Sequence, residues 1–263
     1  LNNGTVNITN GSSVNSNSLF SIFGRVDYDY SKKYLASITL RRDGSSKFGS
    51  NRRYGVFPSY SIGWRISEEK FLNSVSWIDE LKLKASHGVL GSQNNVNSAN
   101  AYSLYAASIN GTGYDIMGTG NSVVQGFAQS RIGNLATGWE ENILTNIGVD
   151  FQFLKNYTFN IEYYKKKING LLFSEPLPAT ILGGASTPTI NIGDIQNTGI
   201  DANINYNKSV NDNFSFNVGL NFTSYKNKIV DLPDPGYFTS GYHESVGSMS
   251  INEEGNAMGS FYG

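Results

Sequence analysis

The strongest constraint on the fold is an alternation of apolar and polar residues with a period of two. In the first segment that shows it, one side carries Phe20, Ile22, Gly24, Val26, Tyr28 and Tyr30, and the other carries Ser21, Phe23, Arg25, Asp27 and Asp29. Successive side chains of a β-strand point to opposite faces of a sheet, so this period is typical of strands. The pattern predicts an all-β chain whose sheet has one apolar face.

The alternation predicts eight consecutive antiparallel strands, which cover 20–30, 34–41, 56–66, 81–86, 143–153, 157–164, 200–206 and 214–222. Strands of about ten residues are long enough to cross a bilayer when tilted, which takes roughly 9–11 residues. Between the third and fourth strands, Ser67–Leu72 is predicted to form a short helical turn with Ser67 as its N-cap.

The predicted connections alternate in length along the chain. Short ones are expected at 31–33, 154–156 and 207–213, an intermediate one at 67–80, and long ones at 43–54, 91–139 and 169–195. Aromatic residues collect beside the short turns, namely Tyr28, Tyr30, Tyr34, Trp64, Phe151, Phe153, Tyr157, Tyr206 and Phe214. Short turns on one rim, long loops on the other and an aromatic belt are typical of outer-membrane barrels. A soluble sandwich would explain the alternation alone, but not this asymmetry.

Composition narrows the possible functions. The 20 Lys and Arg nearly cancel the 21 Asp and Glu, which argues against a nucleic-acid partner because that would need a concentrated basic face. The absence of Cys excludes disulfides and thiolate metal sites. A mean hydropathy of −0.31 is typical of soluble chains, but alternating barrel strands also average to polar values.

Catalytic motifs are weak. The two histidines, His87 and His243, have no metal-ligand spacing. A Ser-His-Asp triad draws on residues that are distant in sequence, so that alternative stays open here. We expect a packed ring at His87, a solvated ring at His243, no enzymatic activity and no cofactor.

Two groups of residues are candidates for contact with a solute or partner. The first group is charged and lies on the polar phase of the strands, where it is predicted to face a barrel lumen: Arg25, Asp27, Arg41, Arg65, Asp150, Glu162 and Asp201. Pairing across strands or contact with a plug is the favoured role for any one of them, and lining a solute path is the alternative. The second group consists of loop aromatics: Tyr102, Tyr105, Tyr114, Phe127, Tyr237 and Tyr242. Such rings stack on sugar or peptide, and they equally pack loops against one another or a partner, so both alternatives remain open.

Several longer motifs occur in a fixed order. They are YLASITLRRDGSSKFG at 34–49, VFPSYSIGWRISEE at 56–69, LKLKAS at 81–86, WE at 139–140, NIGD at 191–194 before NTGI at 197–200, and GSFYG at 259–263. In order and spacing, the chain from about residue 18 onward is similar to the SusC/RagA family of TonB-linked outer-membrane proteins. His87 stands where an aromatic residue is expected in that family.

The resemblance implies a barrel of about 22 strands filled by an N-terminal plug, in the bacterial outer membrane. It also implies import of bulky nutrients, glycan or peptide, together with a SusD-like surface lipoprotein and with energy from TonB. We expect residues 1–263 to be one part of that barrel domain in contact with outer-membrane lipid, with both ends internal to a longer polypeptide. The plug and the TonB box are then expected outside this segment. The alternative is a small outer-membrane barrel with hydrolase or adhesin activity.

Overall fold

β-Strands dominate the computed structural model, which describes residues 14–107, 113–115, 118, 123–174 and 179–262. In chain order the strands are β1 (Leu19–Tyr30), β2 (Tyr34–Ser45), β3 (Tyr54–Arg65), β4 (Ile78–Ser92), β5 (Leu104–Ala107), β6 (Gly113–Asp115), β7 (Val123–Gln125), β8 (Phe127–Arg131), β9 (Glu140–Phe153), β10 (Tyr157–Asn169), β11 (Leu172–Ser174), β12 (Thr189–Asn191), β13 (Asp194–Asn211), β14 (Phe214–Asp231), β15 (Tyr237–His243), β16 (Gly247–Glu253) and β17 (Ser260–Phe261). A 3₁₀ turn spans Ile66–Glu68, and a one-turn helix, α1, spans Ala179–Leu182. Within the described residues, no helix combines the length and hydropathy needed to cross a membrane.

One large sheet contains eight antiparallel strands in the order β1-β2-β3-β4-β9-β10-β13-β14. These are the eight strands that the alternation predicts, so the all-β antiparallel fold is confirmed. Several strands are longer than predicted, and β14 continues to Asp231 instead of ending near residue 222. In its last third the polar residues Lys226, Asn227 and Lys228 are followed by the apolar residues Ile229 and Val230 without alternation, so the period of two is invisible there.

The connections differ in length between the two ends of the sheet, as predicted. The turns after β1 and β9 are tight hairpins, because Ser31, Lys32, Leu154 and Lys155 all have positive φ. Two consecutive residues with positive φ form the type I′ turn, whose twist matches that of the flanking strands. At the opposite end, long connections follow β2, β4 and β10. We call the described residues within 46–53, 93–139 and 170–193 the loop cap.

The register divides the sheet into two unlike faces, because directly opposed residues in antiparallel strands share a face. One row across seven strands reads Tyr28, Ala36, Ile62, Ala85, Ile147, Tyr163 and Ile200. We call this the apolar face and its opposite the polar face. Large side chains of the apolar face are exposed, since Ile38 is 64% and Leu220 is 70% accessible. Among the described residues, no second layer covers this face.

The connection between β3 and β4 differs from the predicted capped helix. The 3₁₀ turn has Arg65 at its N-cap position and no side-chain cap. Ser67 lies inside the turn, and its buried hydroxyl has no hydrogen-bond partner among the described residues. The prediction of Ser67 as N-cap is therefore wrong. Glu69 stabilises this connection instead, through contacts to the neighbouring hairpin.

A second, three-stranded sheet of β15, β16 and β17 was not predicted. Tyr237, Tyr242 and His243 belong to β15, so their assignment to loops is wrong. The local sequence, YFTSGYHESVGSMSINE at 237–253, mixes polar and aromatic residues on both phases. Pairing with β16, such as Tyr237 with Glu253, stabilises these residues as a strand without a clear alternation.

Candidate functional site

The polar face carries an ion-pair network at its centre. Lys82 lies directly opposite Asp150 in the register, and its Nζ is 2.7 Å from Oδ2. Nζ of Lys84 lies 2.9 Å from Asp150 and 3.6 Å from Glu162, two strands away. This reach depends on Gly148, which lies between them: a Cβ there would be 2.9 Å from Cε of Lys84. A glycine in β9 thus lets one lysine join the carboxylates of two strands.

The other predicted charges lie on the same face. Arg25 pairs with Asp27 at 2.8 Å, Arg41 with the buried Asp43 at 2.8 Å, and Arg65 with Glu80 at 3.3 Å. The Arg25–Asp27 pair is exposed and adds little stability, so its main effect is a wet, charged surface. A concave region of about 630 Å³ is lined in part by Arg25, Asp27, Lys84 and Glu162.

Asp201 is the exception among the seven predicted charges. It faces Glu162 across β10 and β13, and it makes no ion pair with another described residue. Opposed like charges destabilise a sheet. The structure therefore brings the seven residues onto one face, where six have a countercharge and one does not. That this face lines a lumen stays a prediction.

Towards β14 the polar face changes from charged to neutral. Asparagine amides on β13 and β14 form side-chain hydrogen bonds: Asn203 to Asn221, Asn205 to Asn203, Asn217 to Asn207, and Asn227 to Asn197. Each amide supplies both a donor and an acceptor. This half of the face can thus pair with polar groups of either kind.

The loop cap has a hydrophobic core at the end of the sheet. Phe48, Val96 and Leu172 are buried there, and Trp139 packs against them. The Trp139 ring lies 5.0 Å from Phe48 and 5.4 Å from Phe57, centroid to centroid. The Phe57 ring occupies space that glycines leave open, since a Cβ at residue 91 would lie 2.1 Å from it. Aromatic packing thus closes the gap where β3 and β4 stop pairing.

A buried polar network joins two long loops of the cap. The amide of Asn100 donates to Oγ1 of Thr137 at 3.1 Å and to the Thr189 carbonyl at 3.0 Å, and its Oδ1 accepts from the Thr189 N–H at 2.8 Å. Glu140 accepts the Leu172 N–H at 3.1 Å. Fully satisfied buried networks specify one arrangement. The expectation that 91–139 is simply an exposed loop is therefore wrong for Asn100 and Thr137.

The predicted loop aromatics are exposed but dispersed. Tyr102, Tyr105, Tyr114, Phe127 and Tyr237 range from 49% to 79% accessible. Tyr105 and Phe127 lie on the paired strands β5 and β8, whereas Tyr114 is on β6 and Tyr237 is on β15. The backbone of Tyr242 is in β15, but its side chain lies outside the described part. None of the five described rings stacks on another described ring, so they form no single platform.

Both histidines have structural partners. Nδ1 of His87 lies 2.8 Å from Oγ1 of Thr145, and its ring is 5.3 Å from Tyr60. Nδ1 of His243 accepts the Ser245 N–H at 3.2 Å. In the described part of the chain, no group of three or more His, Cys, Asp or Glu side chains is placed to hold a metal ion.

Glu69 joins two turns at the short-turn end. Its carboxylate accepts hydrogen bonds from Nζ of Lys33 at 3.0 Å, the hydroxyl of Tyr34 at 2.9 Å and Nε1 of Trp64 at 3.2 Å. These donors, the Lys33 ammonium first, lower the pKa of Glu69 from its ordinary value. The β1–β2 hairpin and the β3–β4 connection are thereby held together.

Comparison with known proteins finds relatives that are all described as TonB-dependent receptors. The sequence matches the family described as "TonB dependent receptor-like, beta-barrel" over residues 1–255. It is 34% identical over 257 residues to TonB-dependent receptor P39 of Formosa agariphila. The matched region covers 97% of this chain and 23% of the relative. It is 33% identical to TonB-dependent receptor SusC of Bacteroides thetaiotaomicron, over 94% of this chain and 25% of the relative. The chain thus spans about a quarter of these curated relatives.

The fold has similar solved structures as well. The RagAB peptide transporter matches with a TM-score of 0.77 at 24% identity, over 91% of this chain and 25% of that one. This likeness concerns the fold alone. Together with the SusC match, it confirms the predicted resemblance to the SusC/RagA family. The chain belongs to the family of TonB-dependent receptor-like β-barrels.

Proposed function

We propose that residues 1–263 form part of the barrel wall of a TonB-dependent outer-membrane importer of bulky nutrients, glycan or peptide. The carrying observation is a sheet with an open apolar face, a polar opposite face and an ordered loop cap at one end only, in a chain of this family. The cargo class is supported only by the names of similar proteins: one relative is named SusC, and the similar RagAB structure is described as a peptide transporter.

The apolar face supports a membrane location. Its exposed aliphatic side chains need a nonaqueous environment, because each square ångström of apolar surface left in water costs about 25 cal/mol. Neighbouring rings form a belt near the short turns: centroids are 4.8 Å apart for Phe151 and Phe153, 5.1 Å for Phe153 and Tyr157, and 4.6 Å for Tyr157 and Tyr206. Such belts lie at membrane–water interfaces. Outer-membrane lipid is thus the proposed environment of this face.

The free edges of the sheet support a larger barrel. β1 and β14 each pair on one side only among the described residues. Unpaired backbone edges are prohibitive in lipid. We therefore propose that further strands of the same polypeptide close the barrel, and that the plug and the TonB contact lie outside residues 1–263.

The polar face then lines the lumen, with Arg25, Asp27, Arg41, Arg65, Asp150, Glu162 and Asp201 in its wall. Such a barrel imports a solute by binding it and opening a path for it, and this segment forms or breaks no covalent bond. A hydrolase of the Ser-His-Asp type would need a His beside a nucleophile and a carboxylate. The ring of His87 is instead hydrogen-bonded to the side chain of Thr145, and the ring of His243 accepts a hydrogen bond from the backbone N–H of Ser245. No enzymatic activity is therefore proposed.

The loop cap is the proposed contact region for the SusD-like lipoprotein and the cargo. Its buried network makes it a preformed surface, which lowers the entropic cost of binding. Tyr105 and Phe127 lie on the paired strands β5 and β8 of this cap and are 66% and 79% exposed. Exposed rings on a rigid support are suitable anchors.

The test uses the full-length protein in its own bacterium. The double variant Tyr105→Ala/Phe127→Ala is compared with Phe71→Ala, an equally exposed ring at the short-turn end. We expect the double variant to assemble a heat-modifiable barrel yet to lose nutrient uptake or copurification of the lipoprotein, while Phe71→Ala keeps both. Unchanged uptake and copurification in the double variant would refute the role of the cap. Uptake that persists in cells without TonB would refute the importer itself.

A further inference from the structure

Three lysines that make no ion pair with any described residue lie at the loop-cap end of the apolar face. The register places Lys165, Thr198 and Lys226 in one row across β10, β13 and β14, and Lys167, Gln196 and Lys228 in the next. Residues in register share a face. Lys165, Lys226 and Lys228 are all exposed. We call these three the lysine cluster.

The cluster directly adjoins the apolar surface. On β10, the same phase continues through Tyr163, Ile161 and Phe159 to Tyr157 in the aromatic belt. Lys165 lies eight residues from Tyr157, which is about 27 Å along a strand and about 20 Å along the normal of a bilayer when the strand tilts by about 40°. An outer-membrane apolar band is about 25 Å tall. Lys165 therefore lies about 5 Å below the upper edge of the band.

The local charges leave the cluster positive. Lys167 is neutralised by Asp194, at 2.9 Å, and Asp231 lies opposite Asp194 in the register. Glu141 stands opposite Asn169, one row further from the apolar band. Lys165, Lys226 and Lys228 make no ion pair with any described residue, although these carboxylates are near.

We propose that Lys165, Lys226 and Lys228 form a docking surface for the phosphate of an anionic lipid in the outer leaflet. This inference rests on the proposed function, because it needs the sheet to span the membrane. Ammonium groups bind phosphate as point charges. Neighbouring strands lie about 4.8 Å apart, so Lys165 and Lys226 flank a space of about 10 Å into which a headgroup fits. The apolar rows below the lysines would take its acyl chains, which a free phosphate lacks.

The experiment measures lipid retention by the full-length protein in detergent, by native mass spectrometry. The probes are phosphatidic acid and phosphatidylcholine with identical acyl chains. Wild type should prefer phosphatidic acid by tenfold or more. Lys165→Gln should lose about fivefold of that preference, as expected for one lysine at an anionic surface, and the triple variant Lys165→Gln/Lys226→Gln/Lys228→Gln should lose it altogether. Lys166→Gln, on the polar face of the same strand, should keep it.

The readouts separate this inference from the importer proposal. A heat-modifiable band on a semi-native gel first shows whether wild type and each variant form the barrel; its absence in wild type would overturn both proposals. Where the band is present, equal retention of the two lipids by wild type, full preference in Lys165→Gln, or equal losses in Lys165→Gln and Lys166→Gln would overturn the docking surface alone. Displacement of phosphatidic acid by millimolar inorganic phosphate would also overturn it, since the site would then recognise free phosphate.

Discussion

The apolar face of the sheet and the loop cap bury apolar side chains in opposite ways. On the sheet, Ile38 is 64% exposed, whereas Phe48 and Leu172 in the cap are 2% and 1% exposed. The most apolar region therefore has no protein core, and the region richest in Asn, Gly and Ser has one. The sheet takes its order from backbone pairing and needs an external apolar phase, while the cap carries its own core into water.

The cap also combines its core with buried polar groups, which the sheet face lacks. Asn100, Thr137 and Thr189 are each 1% exposed and satisfy one another. An apolar core alone tolerates several arrangements, whereas a satisfied network favours one. A surface that recognises a partner gains from such order. The described part of the cap thus has a core of its own, separate from the large sheet that carries it.

The largest expected effect is on the cap core. Phe48→Ala removes a buried ring and should destabilise the cap by about 3–5 kcal/mol. Hydrogen exchange on the full-length protein should show lost protection at 93–107 and 186–193, while the eight-stranded sheet keeps its protection. Phe71→Ala, at a 66% exposed ring, is the matched control and should change little. Unchanged protection in Phe48→Ala would mean that the cap has no cooperative core.

The next effect tests the sheet. Ile38→Arg should destabilise the protein in lipid vesicles by about 2–4 kcal/mol, because a charge near the midplane on the lipid side is costly. Thr39→Arg, the adjacent residue on the polar face, should cost much less. Equilibrium unfolding in denaturant measures both. Equal costs would contradict the barrel, and the contrast between sheet and cap would then disappear.

The same contrast explains what the sequence could predict. The strands of the large sheet were predictable because one apolar face and one polar face impose a period of two, as in Ile143–Phe153. The cap core was not, because Phe48 and Val96 are isolated in polar segments, Leu172 belongs to the short apolar run Leu171–Phe173, and the three meet only in three dimensions. The seven charges predicted to face a lumen do share one face of the sheet, as the alternation along each strand predicted. Their pairings depend on register, as with Lys84 across Gly148, and parity does not encode register.

A smaller effect is expected from the polar network of the cap. Asn100→Ala leaves the buried Thr189 N–H without its acceptor and should cost about 1–3 kcal/mol. The measurement is the exchange rate of the Thr189 amide, which should rise. Asn94→Ala, at an exposed position in the same loop, is the matched control and should leave it unchanged. Equal rates in both variants would show that packing alone orders the cap.

The smallest effect concerns Glu69, at the end of the sheet remote from the cap. Hydrogen bonds from Lys33, Tyr34 and Trp64 lower the pKa of this carboxyl in the folded protein. A group whose pKa falls on folding stabilises the protein above its unfolded pKa, about 4.3 for Glu, and loses that contribution as pH falls through the folded value. The temperature at which the heat-modifiable band unfolds should therefore be higher in wild type than in Glu69→Gln at pH 7 and 5. The difference should shrink only below about pH 4.3. Glu68→Gln, whose partner Arg65 is 3.8 Å away, should show a smaller difference throughout. A gap between wild type and Glu69→Gln that stays constant to the lowest pH would mean that packing, and not the charge of Glu69, joins the two turns.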